Sequence, residues 1–350
     1  MTAELVAQRC AAQLLSLRSA NEPVTIVRHL LAVQGQDPRG FRLAVRARSS
    51  GLCAADVDHA LTQERSLVVA WLNRGTLHLV TADDYWLLHP LTTPQLLPAS
   101  VRRLAMEGVT PDLGDKAAAV IDAALTADGP LTRPELAQRL TGAGIPVAGQ
   151  RLVHLLYRAA VAGLIVRGPM LGREHAFVSV RDWLGAPPAR FDRDAALAEL
   201  ARRYLVGHGP ASEKDLARWA GVPLGQARRG LSAISAELRD REDGLAELRP
   251  GRGAADGGRP PDLPPPRLLG PFDPLLHGWV DRSAVLGSHQ GIVTTNGIFR
   301  PFALVAGRAA GTWGYAGGKV TLKPFGALPE AVAAALSADA DDVVRFMAER

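Results

Sequence analysis

A pattern that returns after a fixed interval constrains a chain more than any single motif. Gly129-Pro130 followed by Glu135, Leu136 and Ala137 recurs as Gly209-Pro210 followed by Asp215, Leu216 and Ala217, an offset of 80 residues. Repetition on this scale means that one supersecondary unit is used more than once. In the first copy, Thr132 and Glu135 form a Thr-x-x-Glu helix start, the 144–146 segment is a turn, and 150–162 is a second helix. A β stretch, 164–180, follows around Gly168-Pro169 and Gly172-Arg173. In the second copy Ser212 caps a helix to Trp219, Gly221 to Pro223 is the turn, and Leu224 to Ile234 follows with Gln226, Arg228 and Arg229. Leu238 to Leu248 is a short charged wing.

The N-terminal third carries the same outline. Apolar residues fall at helical spacing from Leu5 to Leu17, and Asn21-Glu22-Pro23 opens a second helix. A third spans 54–63, and strand 67–72, turn Asn73 to Gly75 and strand 76–80 close the unit. Helices closed by a β-hairpin outline a winged helix-turn-helix, a unit that reads duplex DNA. The expected class is therefore α+β: three tandem winged helix-turn-helix units, then a small antiparallel β-sheet or barrel and a C-terminal helix.

Five segments follow. Residues 1–115, 116–185 and 186–248 are the three winged helices. Residues 249–267, rich in Gly, Pro and Arg, are a linker or mobile loop, because such a stretch has nothing with which to build a core. Residues 268–350 form the β region, with strands about an Asn296-Gly297 hairpin turn and a closing helix from Leu328.

At 350 residues the chain is long enough for several compact units. Of its 40 basic residues only Lys116, Lys214, Lys319 and Lys323 are lysines, leaving 36 arginines, and the formal net charge is +5. Arginine matches phosphates and base edges, although GC-rich coding gives the same bias. Two cysteines, Cys10 and Cys53, exclude a four-thiolate zinc or iron–sulfur site and give no disulfide framework. Nine histidines lack metal-ligand spacing, no Gly-x-Ser-x-Gly or Walker loop occurs, and no cofactor or metal is expected. No apolar run is long enough for a signal peptide or a membrane span. A cytoplasmic, nucleoid-associated monomer acting on double-stranded DNA is the expectation.

Chemistry concentrates at Val33-Gln34-Gly35-Gln36-Asp37-Pro38-Arg39. A residue before proline is pushed out of the helical region, so the helix holding Ile26 and Leu30 is expected to end by Gln36 or Asp37, with both amides facing one cavity. The bland reading is of glutamines making local or solvent hydrogen bonds. Asp37 is either a supporting base or, with Pro38 behind it, a cap or ion-pair partner of Arg39 or Arg42.

This segment, together with Trp71 to His78, Phe272-Asp273-Pro274, Asp281-Arg282, Phe299-Arg300-Pro301 and Gly307 to Trp313, resembles the AlkZ/YcaQ-type winged-helix DNA glycosylases, in the family's order along nearly the whole chain. The resemblance implies three winged helices, a C-terminal β element and a Gln-x-Gln catalytic pair, here Gln34 and Gln36. It is to the AlkZ-like branch, associated with bulky N7-alkylguanines and with interstrand crosslinks from genotoxic natural products, and hence with self-resistance. Glycine between the glutamines departs from the small or apolar residue more usual there. The implied activity is monofunctional hydrolysis to an abasic site; a non-catalytic DNA-binding regulator is the alternative. Arg39, Arg74, His78, Arg282, Asn296, Arg300 and Arg308 are the candidate DNA contacts, with a structural role as the other reading of His78.

An amide is too weak a base to deprotonate water. It can still orient a water and face developing positive charge, which suffices when the leaving purine is already cationic.

Overall fold

The computed structural model describes residues 3–18, 20–172, 174–249 and 261–348. The sequence-expected linker lies mostly outside the described residues (250–260), as does Arg173 of the second wing. The chain forms two compact units, one joining 1–57 with 193–350 and the other spanning 58–192. Both are mixed α+β, and each holds antiparallel strands.

In the unit 58–192, Leu67–Leu72 pairs with Thr76–Thr81 in unbroken register from Leu67 opposite Thr81 to Leu72 opposite Thr76. The tight turn works because Asn73 and Gly75 both adopt positive φ, a conformation that asparagine and glycine tolerate best. Val69 pairs with Arg167 and so joins this hairpin to Ile165–Leu171, which pairs with Glu174–Ser179. The register shifts between Arg167 and Met170, around Gly168-Pro169, as expected where proline withholds a ladder donor. Helices Pro111–Asp128, Arg133–Gly142 and Arg151–Val161 precede the second hairpin. Leu131, between the first two, bridges Phe177. Thr132 and Glu135 form the expected capping box.

In the other unit, Arg193–His208, Glu213–Ala220 and Leu224–Ala233 repeat that helix order. Ala211 bridges Ala246 in the position of the Leu131 bridge. The expected third wing is reduced to a single bridge, Leu238 to Leu248. Ser212 and Asp215 form a second capping box, so each repeat signature marks a helix start held the same way.

Arg267–Leu269, Phe302–Val305, Arg308–Ala316 and Lys319–Pro324 form a four-stranded antiparallel sheet in that order. Two edges remain, so it is an open sheet and not a barrel. Helix Glu330–Ala348 covers one face, burying Leu336 and Val343 against Leu268, Ala303 and Trp313, with Val305, Tyr315, Val320 and Leu322 beside them.

Three expectations change. The helix assigned to Leu5–Leu17 ends at Ala12, because Leu14 turns to positive φ. Arg267, assigned to the linker, begins a strand and is buried, its guanidinium held by the Ala47 carbonyl. The strand expected before Asn296-Gly297 is only a Val293–Phe299 bridge around the turn. With Gly297 at positive φ and Ile298 exposed, nothing extends the ladder there.

Candidate functional site

Helix Pro23–Leu30 stops where Leu31 takes φ 64° and its N–H bonds back to Arg28. Val33 and Gln34 then form a two-residue strand, Gly35 and Gln36 follow, and Asp37 begins the helix Pro38–Arg46. The glutamines were expected at the end of the preceding helix. They lie instead on an extended segment leading into the next one, because the left-handed Leu31 breaks the helix before Asp37-Pro38 can. The two amides differ in exposure: Gln34 is 5% exposed and Gln36 is open to solvent. Gln34 Oε1 accepts the Gly35 N–H at 3.0 Å.

Asp37 is the N-cap. Its Oδ1 accepts from Arg39 N at 2.8 Å and Gly40 N at 3.2 Å, which satisfies two of the amides left over at a helix start. Arg39 Nε stands 3.9 Å from the same oxygen, with most of the Arg39 side chain in solvent. Asp37 Oδ1 thus caps the helix and stands within ion-pair range of Arg39.

The rest of this helix is built into the interior. A Cβ on Gly40 would lie 2.5 Å from the Pro271 carbonyl oxygen, and one on Gly270 would lie 2.7 Å from Leu43 Cβ. Only glycines allow so close an approach. The chain beyond Pro271 is fixed from below: Asp273 is fully buried and receives Arg48 Nη1 and Nη2, each at 2.9 Å. Arg48 also donates to the Gln13 and Ala44 carbonyls and to Gln13 Oε1. Asp273 further accepts the Leu275 N–H. Arg46, 1% exposed, reaches Asp339 at 2.9 Å and Asp342 at 3.1 Å on the C-terminal helix. Thus both ends of the helix behind the glutamines are tied to residues more than 200 positions away.

Phe272, at φ 57°, lies over His277 with Phe299 beside both. Arg282 stacks on Phe299 at 5.3 Å and donates to the Leu276 carbonyl. Burial lowers the Arg282 pKa. Its role within the chain is structural, holding the loop 272–277. Asn296, Arg300 and Arg308 are exposed. In the unit 58–192, Arg74 is half-buried on the hairpin turn. His78 is buried, its Nδ1 2.9 Å from the Thr76 carbonyl. Burial and then Arg74 push its pKa down to about 3. The ring is therefore neutral at pH 7 and offers no positive charge to a phosphate.

In the sequence Phe272-Asp273-Pro274 stands out only through the family resemblance, and Arg48 is not legible as the partner of Asp273. The available signal was an aspartate before proline in an apolar stretch; its partner, 225 residues away, left no local trace. Gly40 was also missed, since an isolated glycine after a helix start carries no sign of what it faces.

The model of the family described as DNA glycosylase AlkZ-like matches residues 27–346. The structure of Streptomyces sahachiroi DNA glycosylase AlkZ is similar throughout, with a TM-score of 0.75 at 25% identity, covering 98% of this chain and 96% of that one. No curated protein sequence matches at a significant level.

Proposed function

Because the chain belongs to the AlkZ-like DNA glycosylase family, we propose that this DNA glycosylase hydrolyses the N-glycosidic bond of cationic N7-alkylguanine, using Gln34 and Gln36 and leaving an abasic site. Membership of the family displaces the non-catalytic regulator. No helix among the described residues is long and apolar enough to cross a membrane, and DNA is the substrate, with the enzyme acting as a monomer. Bulky adducts, and guanines held in interstrand crosslinks, are the substrates that an open approach accommodates best.

The engagement of Asp37 as helix cap carries this reading. With Oδ1 of that carboxylate held by two backbone amides, the amides of Gln34 and Gln36 are the side chains of the segment to which this reading assigns the chemistry. Cleavage of the C1′–N9 bond builds positive charge on the sugar. A Gln36 oxygen in solvent and the Gln34 amide can face that charge and hold a water on the far side of the sugar. Undamaged purines leave poorly without protonation, so weak catalytic groups spare them.

Three runs of helices, each ahead of a hairpin or bridge, support reading 1–115, 116–185 and 186–248 as winged helices, followed by the linker 249–267 and the β region 268–350. Leu131–Phe177 and Ala211–Ala246 are the short strand contacts that such units place between their first and second helices.

The test is alkali cleavage of a duplex carrying one N7-methylguanine, after incubation with the protein. Gln34→Ala and Gln36→Ala are each expected to slow abasic-site formation by about 10²-fold or more, the loss typical of one positioned polar group. Asp37→Asn, which can still cap, keeps most of the activity. A loss with Asp37→Asn as deep as with Gln36→Ala would overturn the amide mechanism.

A further inference from the structure

Between Asp281 and Glu330 the sequence contains no acidic residue, yet it carries Arg282, Arg300, Arg308, Lys319 and Lys323. Two of the chain's four lysines fall within five positions of one another. In a chain with 35 acidic residues in 350, an acid-free stretch of this length builds a one-signed surface, provided the fold turns its cations outward.

The sheet does so. On strands Arg308–Ala316 and Lys319–Pro324, cross-strand partners share a face, and Thr312 lies opposite Lys323, Gly314 opposite Thr321 and Ala316 opposite Lys319. Trp313, Tyr315, Val320 and Leu322 point the other way, into the core under helix Glu330–Ala348. The outward face therefore presents two ammonium groups and two hydroxyls over a floor of Gly314 and Ala316. A Cβ on Gly314 would meet nothing within 4 Å. A groove of about 500 Å³ lies here, lined by Arg300, Thr312, Thr321 and Lys323 among others. Arg300, Lys319 and Lys323 are exposed and form no ion pair among the described residues.

We propose that this outer sheet face is a phosphodiester-binding surface, on which Arg300, Lys319 and Lys323 hold the sugar–phosphate backbone of the DNA substrate away from the reacting base. Charge complementarity selects the occupant. Three cations with no carboxylate paired to them among the described residues match a polyanion, threonine hydroxyls donate to phosphate oxygens, and a floor of small residues lets a backbone come close. The cross-strand pairs on this face are threonine, lysine, glycine and alanine, none of which offers a ring for stacking, so it fits the outside of a duplex rather than a single strand. The surface adds affinity without sequence preference.

The inference rests on the DNA-directed activity proposed above, but its test reads binding alone. The affinity of the full chain for an undamaged duplex would be measured from 50 to 200 mM salt, for the wild type and for Arg300→Gln/Lys319→Gln/Lys323→Gln. Each lost phosphate contact lowers the slope of log affinity against log salt by about 0.9, so the triple variant is expected to lose about 2.7 from it. Lys319→Arg/Lys323→Arg keeps the charge and should keep the wild-type slope. An unchanged slope in the glutamine variant overturns the proposal, as does a slope lost equally in the arginine variant. If the wild type binds DNA with this salt dependence but releases no N7-alkylguanine, the substrate assignment fails and the binding surface stands.

Discussion

Helix Pro38–Arg46 with its Arg48 extension and the hairpin Arg308–Pro324 belong to one compact unit, and both carry arginine or lysine among apolar residues. They use those cations in opposite ways. Arg46 and Arg48 are 1% and 0% exposed and meet carboxylates at Asp339, Asp342 and Asp273. Arg308, Lys319 and Lys323 are exposed and have no carboxylate partner among the described residues. A guanidinium withdrawn from water must recover its hydration from fixed partners, and in this protein those partners come from distant segments and lock the helix behind the glutamines. A cation left in water holds nothing in place and keeps its charge for a ligand. In this chain Arg46 and Arg48, at the far end of the helix behind the glutamines, are therefore scaffold, whereas Arg39 at its start and the cations of the sheet face outward.

The contrast is most exposed to failure at Asp273. Asp273→Ala leaves the Arg48 charge buried without its bidentate partner and should cost about 3–5 kcal/mol of unfolding free energy, read from denaturant midpoints. If the double variant Arg48→Met/Asp273→Leu recovers much of that loss, the penalty belongs to the stranded charge. A single-variant cost under 1 kcal/mol would mean that the pair does not lock the loop. A smaller effect is expected at the other end of the helix. Asp37→Ala removes the cap and should cost about 1 kcal/mol, whereas Asp37→Asn should cost a few tenths at most. Equal losses in the two would point to the Arg39 ion pair rather than the cap. Smallest of all, Arg308→Ala should shift stability by no more than about 0.5 kcal/mol. A larger change there would show that the outer face contributes to the fold and would erase the distinction between the two regions.

Much of this architecture was legible from local signals. Both capping boxes, the 67–72 and 76–81 hairpin and the closing helix follow from periodicity, turn residues and caps, and each of these acts within a few residues. The failures share a cause. The helix before Gln34 ended early through the backbone of Leu31, a residue whose side chain gives no warning of positive φ. Arg267 read as linker because it follows a Gly- and Pro-rich stretch that ends in three prolines, while its burial depends on a carbonyl 220 residues away. His78 alternates with Leu77 and Leu79 as a strand residue should, and its burial, which lowers its pKa, is likewise not written in the strand.

The sequence by itself determined that two amides, a glycine and an Asp-Pro stand together, and that an acid-free basic stretch follows Asp281. Both are properties of adjacent residues, and no packing alters them. Tertiary structure alone decided what they mean. It set Asp37 Oδ1 on two backbone amides, buried Gln34 while leaving Gln36 in water, and set Gly40 against Pro271 above the Arg48–Asp273 pair. The reason is physical: burial and electrostatic pairing depend on which segments meet, and the ones that meet here lie more than 200 residues apart.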